Sequence, residues 1–304
     1  MRIDLRTRII AVLGGDGRDL EITRLAVLAG AQVRACGLPA DAVRKVGAVP
    51  AATIADAVHE ADVVLCPVPL PAADGRLFTP LTGEALIPNT DTLQGLRRGA
   101  ILITGRASAQ MRDAAQALGL RLREYEQDEE LMLLRAPAVA EGAIRLAVEH
   151  TDVTLHHNRC MVVGFGKIGP TLAAMLVGLG ARVTVAARNP VQLARAWAMG
   201  CETITVSALA EHIRGMTVVF NTAPARVFSR EILERMDPAT LLIDVAAPPG
   251  GVDLDAAREV GVRALWGRGL GGRAPKTVGQ SQWTGILRIL ATELDSDAEG
   301  TAHS

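Results

Sequence analysis

A glycine-rich segment in the middle of the chain carries the most specific chemical signal. It runs Gly164-Phe165-Gly166-Lys167-Ile168-Gly169, follows the apolar run 160–163 and opens a helical pattern that continues to Leu179. In this context the first glycine makes a tight turn, the second lets a pyrophosphate approach the backbone, and the third lets helix and strand pack closely. The N–H groups at a helix N-terminus also bind anions. The segment therefore predicts a dinucleotide-binding loop.

The residues after the next strand-like run indicate which dinucleotide to expect. In an NAD-binding fold, an Asp or Glu about 20 residues beyond the glycines holds the ribose 2′-hydroxyl. Here the run ends in Arg188-Asn189, with no acid at that point. A guanidinium favours a ribose 2′-phosphate by about ten- to a hundredfold through charge-assisted hydrogen bonds. NADP is therefore the expected cofactor, and the alternative is a solvated surface arginine.

Two further segments in this half follow strand-like runs. Asn221-Thr222 ends one run, and Asp244 ends the next, shortly before the turn 248–251. Ligands of open α/β sheets bind at the carboxyl ends of strands, so Asn221 and Thr222 are expected to line the nicotinamide ribose and ring. Asn and Pro-Gly sequences are equally ordinary in turns, and the sequence leaves both interpretations open.

A second polar cluster follows the first strand-like run of the chain, in the segment 14–18. It is not a second Gly-x-Gly-x-x-Gly motif, because Leu20 occupies the third glycine position. Arg18 stands in the first helical turn, where it would point to the sheet edge and bind a carboxylate, with Asp16 as its polar partner or as the helix cap. The alternative is that Asp16 only caps the helix and Arg18 lies on the surface.

Three more residues are candidates for a site. The chain has only three lysines, and Lys276 stands where a glycine-rich loop meets the last helix. It is expected to bind a substrate carboxylate or polarise a ring group, unless it is simply an exposed helix-start residue. Glu141 and His150 fall on one connecting helix, about 90° apart around its axis, so they could share a broad face. A single histidine is more often structural, and no metal site is expected.

Short runs of Val, Ile and Leu alternate with amphipathic stretches of helical length, a pattern typical of parallel α/β folds. Strands are predicted at 8–13, 31–35, 62–66, 99–104, 159–163, 182–187, 203–206, 217–221, 240–245 and 262–265. Helices in the first half are predicted at 18–29, 89–97 and 108–118. A connecting helix at 138–150, starting near Pro137, and a last helix at about 277–294 complete the pattern.

These elements predict an α/β protein with two doubly wound parallel-sheet domains, the second a Rossmann domain. A chain of 304 residues has room for two such domains. We expect an N-terminal substrate domain of residues 1–136, completed by 277–304, because the last helix would return to it. The NADP-binding domain and its connecting helix would span residues 137–276.

Composition excludes several classes of partner. Lys and Arg number 32 against 33 Asp and Glu, so the net charge of −1 gives no basic field for nucleic acid or anionic lipid. The sequence has no apolar span of about 18 residues and no signal-peptide pattern at its N-terminus. Its four cysteines are widely spaced and predicted to be buried free thiols. A cytoplasmic protein without nucleic-acid or membrane partners is expected.

Five separated blocks together resemble the family formed by the A subunits of dipicolinate synthase. They are the segment 14–22, the segments 141–144 and 149–152, the glycine loop, Asp244 with 249–253, and the segment 274–280. The match covers most of the chain, and blocks in this order are more specific than a glycine loop that many dehydrogenases share. The layout is also similar to that of the formate/glycerate and alanine dehydrogenases.

The resemblance implies NADP-linked oxidation of a dihydrodipicolinate, derived from 4-hydroxy-tetrahydrodipicolinate, to pyridine-2,6-dicarboxylate in the mother cell of a sporulating bacterium. It implies a separately encoded flavoprotein, the B subunit of dipicolinate synthase, as a partner, and a homo-oligomer is expected. For this small dicarboxylate substrate, Arg18 and Lys276 would be the two anchors. Arg106, after the fourth strand-like run, departs from the family pattern, and it is either a third anchor or a product of the general bias of this chain toward arginine over lysine. Since loss of a ring proton gains aromaticity, a modest base suffices, and Glu141 or His150 would serve.

Two alternatives remain open at this point. One is another NADP-dependent dehydrogenase of the same layout that acts on an amino or hydroxy acid, because the glycine loop is indifferent to the substrate. The other is a non-catalytic NADP-binding subunit that stabilises the flavoprotein.

Overall fold

The computed structural model describes residues 4–126, 128–247 and 250–301, with side chains as far as 294. The chain divides into two compact units, one of residues 1–131 with 274–304 and the other of residues 132–273. These boundaries fall a few residues before the predicted ones at 136/137 and 276/277. The last helix belongs to the first unit, as the sequence predicted.

The first unit is built on a six-stranded parallel sheet with the order β3-β2-β1-β4-β5-β6. Its strands are β1 (Ile9–Leu13), β2 (Gln32–Cys36), β3 (Val49–Pro50), β4 (Val63–Leu65), β5 (Ile101–Thr104) and β6 (Arg121–Glu124). Its connecting helices are α1 (Gly17–Leu28), α2 (Ala40–Lys45), α3 (Ile54–Val58), α4 (Thr90–Leu93) and α5 (Ala109–Leu118).

Helix α6 (Glu129–Glu149) leads into the second unit, whose six parallel strands have the order β12-β11-β10-β7-β8-β9. They are β7 (Arg159–Val163), β8 (Arg182–Ala187), β9 (Glu202–Thr205), β10 (Val218–Asn221), β11 (Leu241–Asp244) and β12 (Arg263–Trp266). The helices are α7 (Gly169–Gly178), α8 (Pro190–Ala198), α9 (Leu209–His212), α10 (Arg230–Glu234) and α11 (Leu254–Glu259), with 3₁₀ turns at Val206–Ala208 and Leu270–Arg273. The final helix α12 (Pro275–Thr301) packs in the first unit.

Both sheets have the same topology. Counted from its own first strand, each has the order 3-2-1-4-5-6, which is that of a doubly wound dinucleotide-binding fold. The predicted α/β class with two doubly wound sheets is therefore confirmed. In each sheet the winding reverses between the first and fourth strands, so the ligand crevices are expected outside the carboxyl ends of β1 and β4 and of β7 and β10.

The strands are apolar on both faces because helices cover both faces of each sheet. In the first unit, Ile10 and Val12 pack into the core beneath α1 and α12, whereas Ala11 and Leu13 pack into the core beneath α3 to α5. This alternation follows from the two-residue period of a strand. It also explains why these segments appear in the sequence as continuous hydrophobic runs.

Several elements differ from the sequence predictions, and the short helices α2 and α3 were not among the predicted helices. Strands β3 and β6 were not predicted, because both lie at sheet edges and β6 consists largely of charged residues. The predicted helix start near Pro137 is wrong, since α6 begins at Glu129 and contains Pro137 in its interior. An interior proline removes one backbone hydrogen bond. Close packing of Ala136 and Ala140, both fully buried, accompanies the continuous helix at this point.

Helices α1 and α12 pack in close contact. A Cβ atom on Gly279 would lie 2.7 Å from the Cβ of Glu21 and 2.8 Å from the carbonyl oxygen of Arg18. Gly17, at the start of α1, faces the ring of Pro275 at the start of α12. The two helices therefore run in the same direction, and Gly279 permits their close approach.

Candidate functional site

The first and third glycines of the loop after β7 are required by close packing. Gly164 has a φ of +94°, and a Cβ there would lie 2.7 Å from the Thr222 hydroxyl oxygen. A Cβ on Gly169 would lie 2.3 Å from the carbonyl oxygen of Gly164. Both positions exclude any side chain, so the loop folds back tightly onto the start of α7.

Gly166, the second glycine of the loop, is surrounded by open space. No described atom lies within 4 Å of the position that a Cβ on Gly166 would occupy. The backbone N–H groups of residues 165–168 donate no hydrogen bond to any described residue, and α7 begins directly after them. An open space beside unpaired N–H groups at a helix N-terminus fits the pyrophosphate of a dinucleotide. The loop therefore has room and free N–H donors for such a group.

The remaining loop residues anchor it. Phe165 is only 4% exposed and packs in the core of the second unit, so its ring is not a ligand contact. Ile168 is the N-cap residue of α7 and packs against the same core. Lys167 is half-buried between them. This anchoring leaves the backbone of Gly166 as the exposed part of the loop.

Asn221 and Asp244 form a buried network instead of facing a ligand. The Asn221 amide donates to Asp244 Oδ1 at 2.8 Å, while Asp244 also accepts backbone N–H groups from Ala246, Gly251 and Val252. Asn221 is fully buried and exchanges hydrogen bonds with the Ala223 backbone. The expectation that its side chain lines the nicotinamide ribose is thus corrected, because its polar atoms are already used. Pro248 and Pro249 of the nearby turn lie outside the described residues.

Thr222 holds the glycine loop in place by hydrogen bonds to its backbone. Its hydroxyl shares its one proton between the carbonyl oxygens of Val163 and Gly164, which lie 3.2 and 3.1 Å away. Its backbone N–H donates to the Val163 carbonyl oxygen. These bonds tie the loop after β10 to the loop after β7, across the reversal point of the sheet. The expected contact of this side chain with the nicotinamide ribose is replaced by a contact with the loop.

Arg188 and Asn189 follow β8, as the sequence predicted. Arg188 is exposed, and its side chain makes no hydrogen bond or ion pair with any residue that the structure describes. Asn189 caps α8 by accepting a hydrogen bond from the Val191 N–H at 2.8 Å. Arg188 is therefore a cation at the carboxyl end of β8 that a ligand can reach. Asn189 is used to cap α8.

In the first unit, Arg18 and Asp16 form a two-pronged ion pair at the carboxyl edge of the sheet. Arg18 Nε and Nη2 each donate to one oxygen of Asp16 at 2.9 Å, and the Arg18 N–H also donates to Asp16 Oδ1. Asp16 is thus both the helix cap and the partner of the guanidinium. Arg18 is only 7% exposed, which excludes the alternative of a surface arginine.

Asp19 is a titratable residue that the sequence analysis missed. Its carboxylate accepts the Asp16 N–H at 2.9 Å and completes the capping box of α1. Burial raises the pKa of Asp19 to about 7, although the Asp16 N–H and the charge of Arg18 both lower it. The neighbouring Cys66 thiol has its pKa raised by burial and by Asp19. The Asp-x-x-Asp spacing of a capping box was the available signal.

Lys276 lies on a different flank of α1. It lines a cavity of about 650 Å³ within the first unit. The lining residues are Gly17, Leu20, Glu21, Arg24, Val46, Pro275, Lys276 and Gln280. The Arg24 hydrogen bond holds the pKa of Glu21 below its ordinary range, and Gln280 and Lys276 contribute in the same direction. Arg18 is not among the residues that line this cavity, so the cavity holds only one of the two expected anchors.

The two expected bases on α6 are not brought together either. Glu141 is exposed and forms an ion pair with Arg273. His150 is exposed at the end of α6, and its carbonyl oxygen accepts a hydrogen bond from Arg263, the first residue of β12. His150 therefore lies by the amino edge of its sheet, opposite the ligand-binding edge. Arg106, after β5, pairs with Glu126 at 3.0 Å.

Two further sequence predictions concern the cysteines and membrane-spanning helices. All four cysteines are free and buried, which confirms that prediction. Among the described helices, none combines the length and the apolarity that crossing a membrane requires.

Comparisons with known proteins agree with this architecture. Residues 9–126 match the family model for the N-terminal domain of the dipicolinate synthase A subunit, and residues 136–252 match the NAD-binding domain of D-isomer-specific 2-hydroxyacid dehydrogenases. The dipicolinate synthase A subunit of Bacillus subtilis (strain 168) is 33% identical over 284 residues, covering 93% of this chain and 95% of the relative.

Two crystal structures are similar over nearly the whole chain. The dipicolinate synthase A subunit from Bacillus halodurans superposes with a TM-score of 0.86 and 28% identity, over 94% of this chain and 99% of that one. The corresponding dipicolinate synthase chain from Bacillus subtilis gives a TM-score of 0.84 and 31% identity, over 95% and 97%.

The doubly wound second unit, its open glycine loop and its domain match define an oxidoreductase that uses a nicotinamide cofactor. The similarity over the full length is more specific than that class. The chain belongs to the family of dipicolinate synthase A subunits.

The open space at Gly166 gives a direct test of the cofactor loop. Gly166→Ala should weaken binding of the reduced nicotinamide cofactor by about tenfold or more, equivalent to about 1.4 kcal/mol, because the methyl group would occupy the space left for the pyrophosphate. Gly178→Ala, at the other end of α7, adds a methyl group that also meets no described atom within 4 Å. This control should bind normally. Fluorescence titration measures both affinities, and equal affinities would show that the cofactor binds elsewhere.

The raised pKa of Asp19 predicts a specific dependence of stability on pH. The folded chain holds this proton up to about pH 7, whereas a carboxyl with the ordinary pKa of 3.8 loses it earlier. The stability from protonated Asp19 is therefore fully present below pH 3.8 and is lost as the pH rises to about 7.

Asp19→Asn removes this titration. The variant should gain stability relative to the parent as the pH rises from 4 to 7, by up to about 4 kcal/mol. Urea unfolding at several pH values measures the difference, with Asp113→Asn, an exposed carboxyl on α5, as the control. Parallel pH profiles for the parent and Asp19→Asn would contradict the assignment.

Proposed function

We propose that this chain oxidises dihydrodipicolinate, derived from 4-hydroxy-tetrahydrodipicolinate, to pyridine-2,6-dicarboxylate (dipicolinate), with NADP⁺ as hydride acceptor. Family membership supplies the reaction, and the observation that carries it in this chain is the buried Arg18–Asp16 pair at the ligand edge of the first sheet. A buried guanidinium there suits a carboxylate substrate.

The Arg18–Asp16 geometry leaves a binding edge for a ligand. A guanidinium has five N–H donors. Asp16 accepts the Nε–H and one of the two Nη2–H groups. The edge formed by Nη1 is outside this pair and can receive a second carboxylate end-on. Asp16 also fixes the orientation of Arg18, so less rotamer entropy is lost when a ligand binds. Arg18 is therefore the proposed anchor for one substrate carboxylate.

The second unit would hold the cofactor. The Gly166 backbone and the start of α7 would bind the pyrophosphate, and Arg188 would bind the 2′-phosphate that distinguishes NADP from NAD. Bound NADP⁺ supplies a hydride acceptor. The protein residues orient it, and Thr222 keeps the loop in place through the two carbonyl groups.

Proton removal requires a group whose pKa is near neutral. Asp19 fits this need better than the bases expected from the sequence, because its pKa is raised to about 7 and it lies beside Arg18 in the first unit. Glu141 is paired with Arg273, and His150 is near the amino edge of its sheet. We therefore assign the proton-accepting role to Asp19.

The family also suggests a setting. We infer that the chain works with the flavoprotein B subunit of dipicolinate synthase, and as a homo-oligomer, in the mother-cell cytoplasm during sporulation. The support for this setting is the membership of the chain in the family.

Substitution of Arg188 tests whether the chain prefers NADP⁺ to NAD⁺. Arg188→Ala should weaken NADP⁺ binding by about ten- to a hundredfold and leave NAD⁺ binding nearly unchanged, because only NADP⁺ carries the 2′-phosphate. Arg182→Ala, an exposed arginine at the opposite end of β8, is the control. Calorimetric titration with both cofactors measures the effect. A similar loss for both cofactors would overturn the NADP assignment.

Substitution of Arg18 tests its proposed role as the anchor of a substrate carboxylate. Arg18→Gln should lower kcat/KM for the dihydrodipicolinate substrate at least about tenfold, through loss of a charged hydrogen bond, while leaving NADP⁺ affinity intact. Arg24→Gln alters an arginine on the same helix that pairs with Glu21 and lines the cavity beside Lys276. Its turnover should stay normal. A loss confined to Arg24→Gln would place the substrate in that cavity and contradict the role of Arg18.

A further inference from the structure

Lys276, which the proposed function does not use, lines a cavity that is separate from the Arg18–Asp16 pair. The cavity has a volume of about 650 Å³ and is formed within the first unit by α1, the start of α12 and the end of α2. Small-molecule sites in proteins commonly enclose about 300 to 1,000 Å³. The cavity is therefore large enough for a ligand of the size of a metabolite.

The lining of this cavity combines apolar and charged side chains. The apolar surface comes from three residues, which are Leu20, Val46 and Pro275. The charged residues are Glu21, Arg24 and Lys276. Two cations and one anion give the lining a net charge of +1. A ligand that matches the cavity therefore has an apolar body and one negative charge.

Glu21 and Arg24 neutralise each other. Arg24 Nε and Nη2 donate to the two carboxylate oxygens of Glu21, at 2.8 and 2.6 Å. The hydrogen bond from Arg24 holds the pKa of Glu21 below its ordinary value, so the carboxylate stays ionised at neutral pH. The pair has no net charge, and the net charge of the lining is therefore that of Lys276.

Lys276 has no such partner. Its ammonium makes no hydrogen bond and no ion pair with any residue that the structure describes. Lys276 also lowers the pKa of Glu21, but less than Arg24 and Gln280 do, as expected for a charge that acts at longer range. An ammonium group has three N–H donors. Lys276 therefore offers donors and a charge to a ligand in the cavity.

We propose that this cavity is a second ligand site, which binds an organic monocarboxylate with an apolar body. The carboxylate would pair with Lys276, and the apolar body would pack against Leu20 and Val46. A second negative charge would lie near the carboxylate of Glu21, which is only 6% exposed, with no further unpaired cation in the lining. The site therefore disfavours dianions such as the substrate that we assign to Arg18.

The test uses benzoate and benzamide, two probes of nearly the same shape that differ in charge. The parent chain should bind benzoate about tenfold more tightly than benzamide, the contribution of one hydrogen bond between charged groups. Lys276→Met keeps the apolar stem and removes the charge, so it should abolish this preference. Lys45→Met changes an exposed lysine of α2 that does not line the cavity, and this control should keep it. NMR titration measures these affinities.

Three further variants locate the bound probe. Lys276→Arg keeps the charge and should keep the preference for benzoate. Val46→Asn places a polar group on the apolar wall and should weaken both probes about threefold or more. Arg18→Gln alters the other carboxylate anchor and should leave both affinities unchanged.

Several outcomes would overturn the proposal. Equal affinities of the parent for the two probes would show that no cation selects the carboxylate. A preference that is retained in Lys276→Met and lost in Arg18→Gln would place benzoate at Arg18. Unchanged affinities in Val46→Asn would show that the probes lie outside the cavity. Because the probes bind without turnover, none of these outcomes depends on the proposed function.

Discussion

Close backbone packing at the carboxyl edges of two parallel sheets is the constraint on which both candidate sites depend. In the second unit, Gly164 and Gly169 approach their neighbours so closely that no side chain fits, and the N–H groups of residues 165–168 between them have no acceptor among the described residues. In the first unit, Gly15 has a φ of +101°, and a Cβ there would lie 2.1 Å from Asp19. Asp19 can therefore cap α1 and remain buried beside Arg18. The same topology thus yields a loop with unpaired backbone N–H groups in one unit and a charged, buried cluster in the other.

The hydrogen-bond partners separate structural polar groups from those available to ligands. Asp244 accepts hydrogen bonds from three backbone N–H groups and from Asn221, so this pair stabilises loops and has no capacity left. Arg18 is held by one edge of its guanidinium, and Arg188 is exposed without a partner among the described residues. Buried polar groups in folded proteins are normally paired. Asn221 and Asp244 follow this rule, whereas Arg18 and Arg188 keep N–H donors for the ligands that we propose.

Much of the fold could be predicted because each central strand is buried on both faces and leaves a continuous apolar run. The glycine loop and Arg188 follow such runs directly, and the partner of Arg18 is only two residues away. Other features depend on residues distant in sequence. The pairing of Glu141 with Arg273, and the placement of Lys276 on a separate flank of α1, follow from helix packing that local patterns do not encode.

The central claim is that this chain itself is the dehydrogenase. The most direct measurement incubates the purified chain with NADP⁺ and freshly generated 4-hydroxy-tetrahydrodipicolinate, and follows reduced cofactor and dipicolinate together. We expect reduced cofactor and dipicolinate to form in equal amounts. If neither forms, with or without the added flavoprotein partner, although NADP⁺ binds, the chain would be a nucleotide-binding protein without this activity.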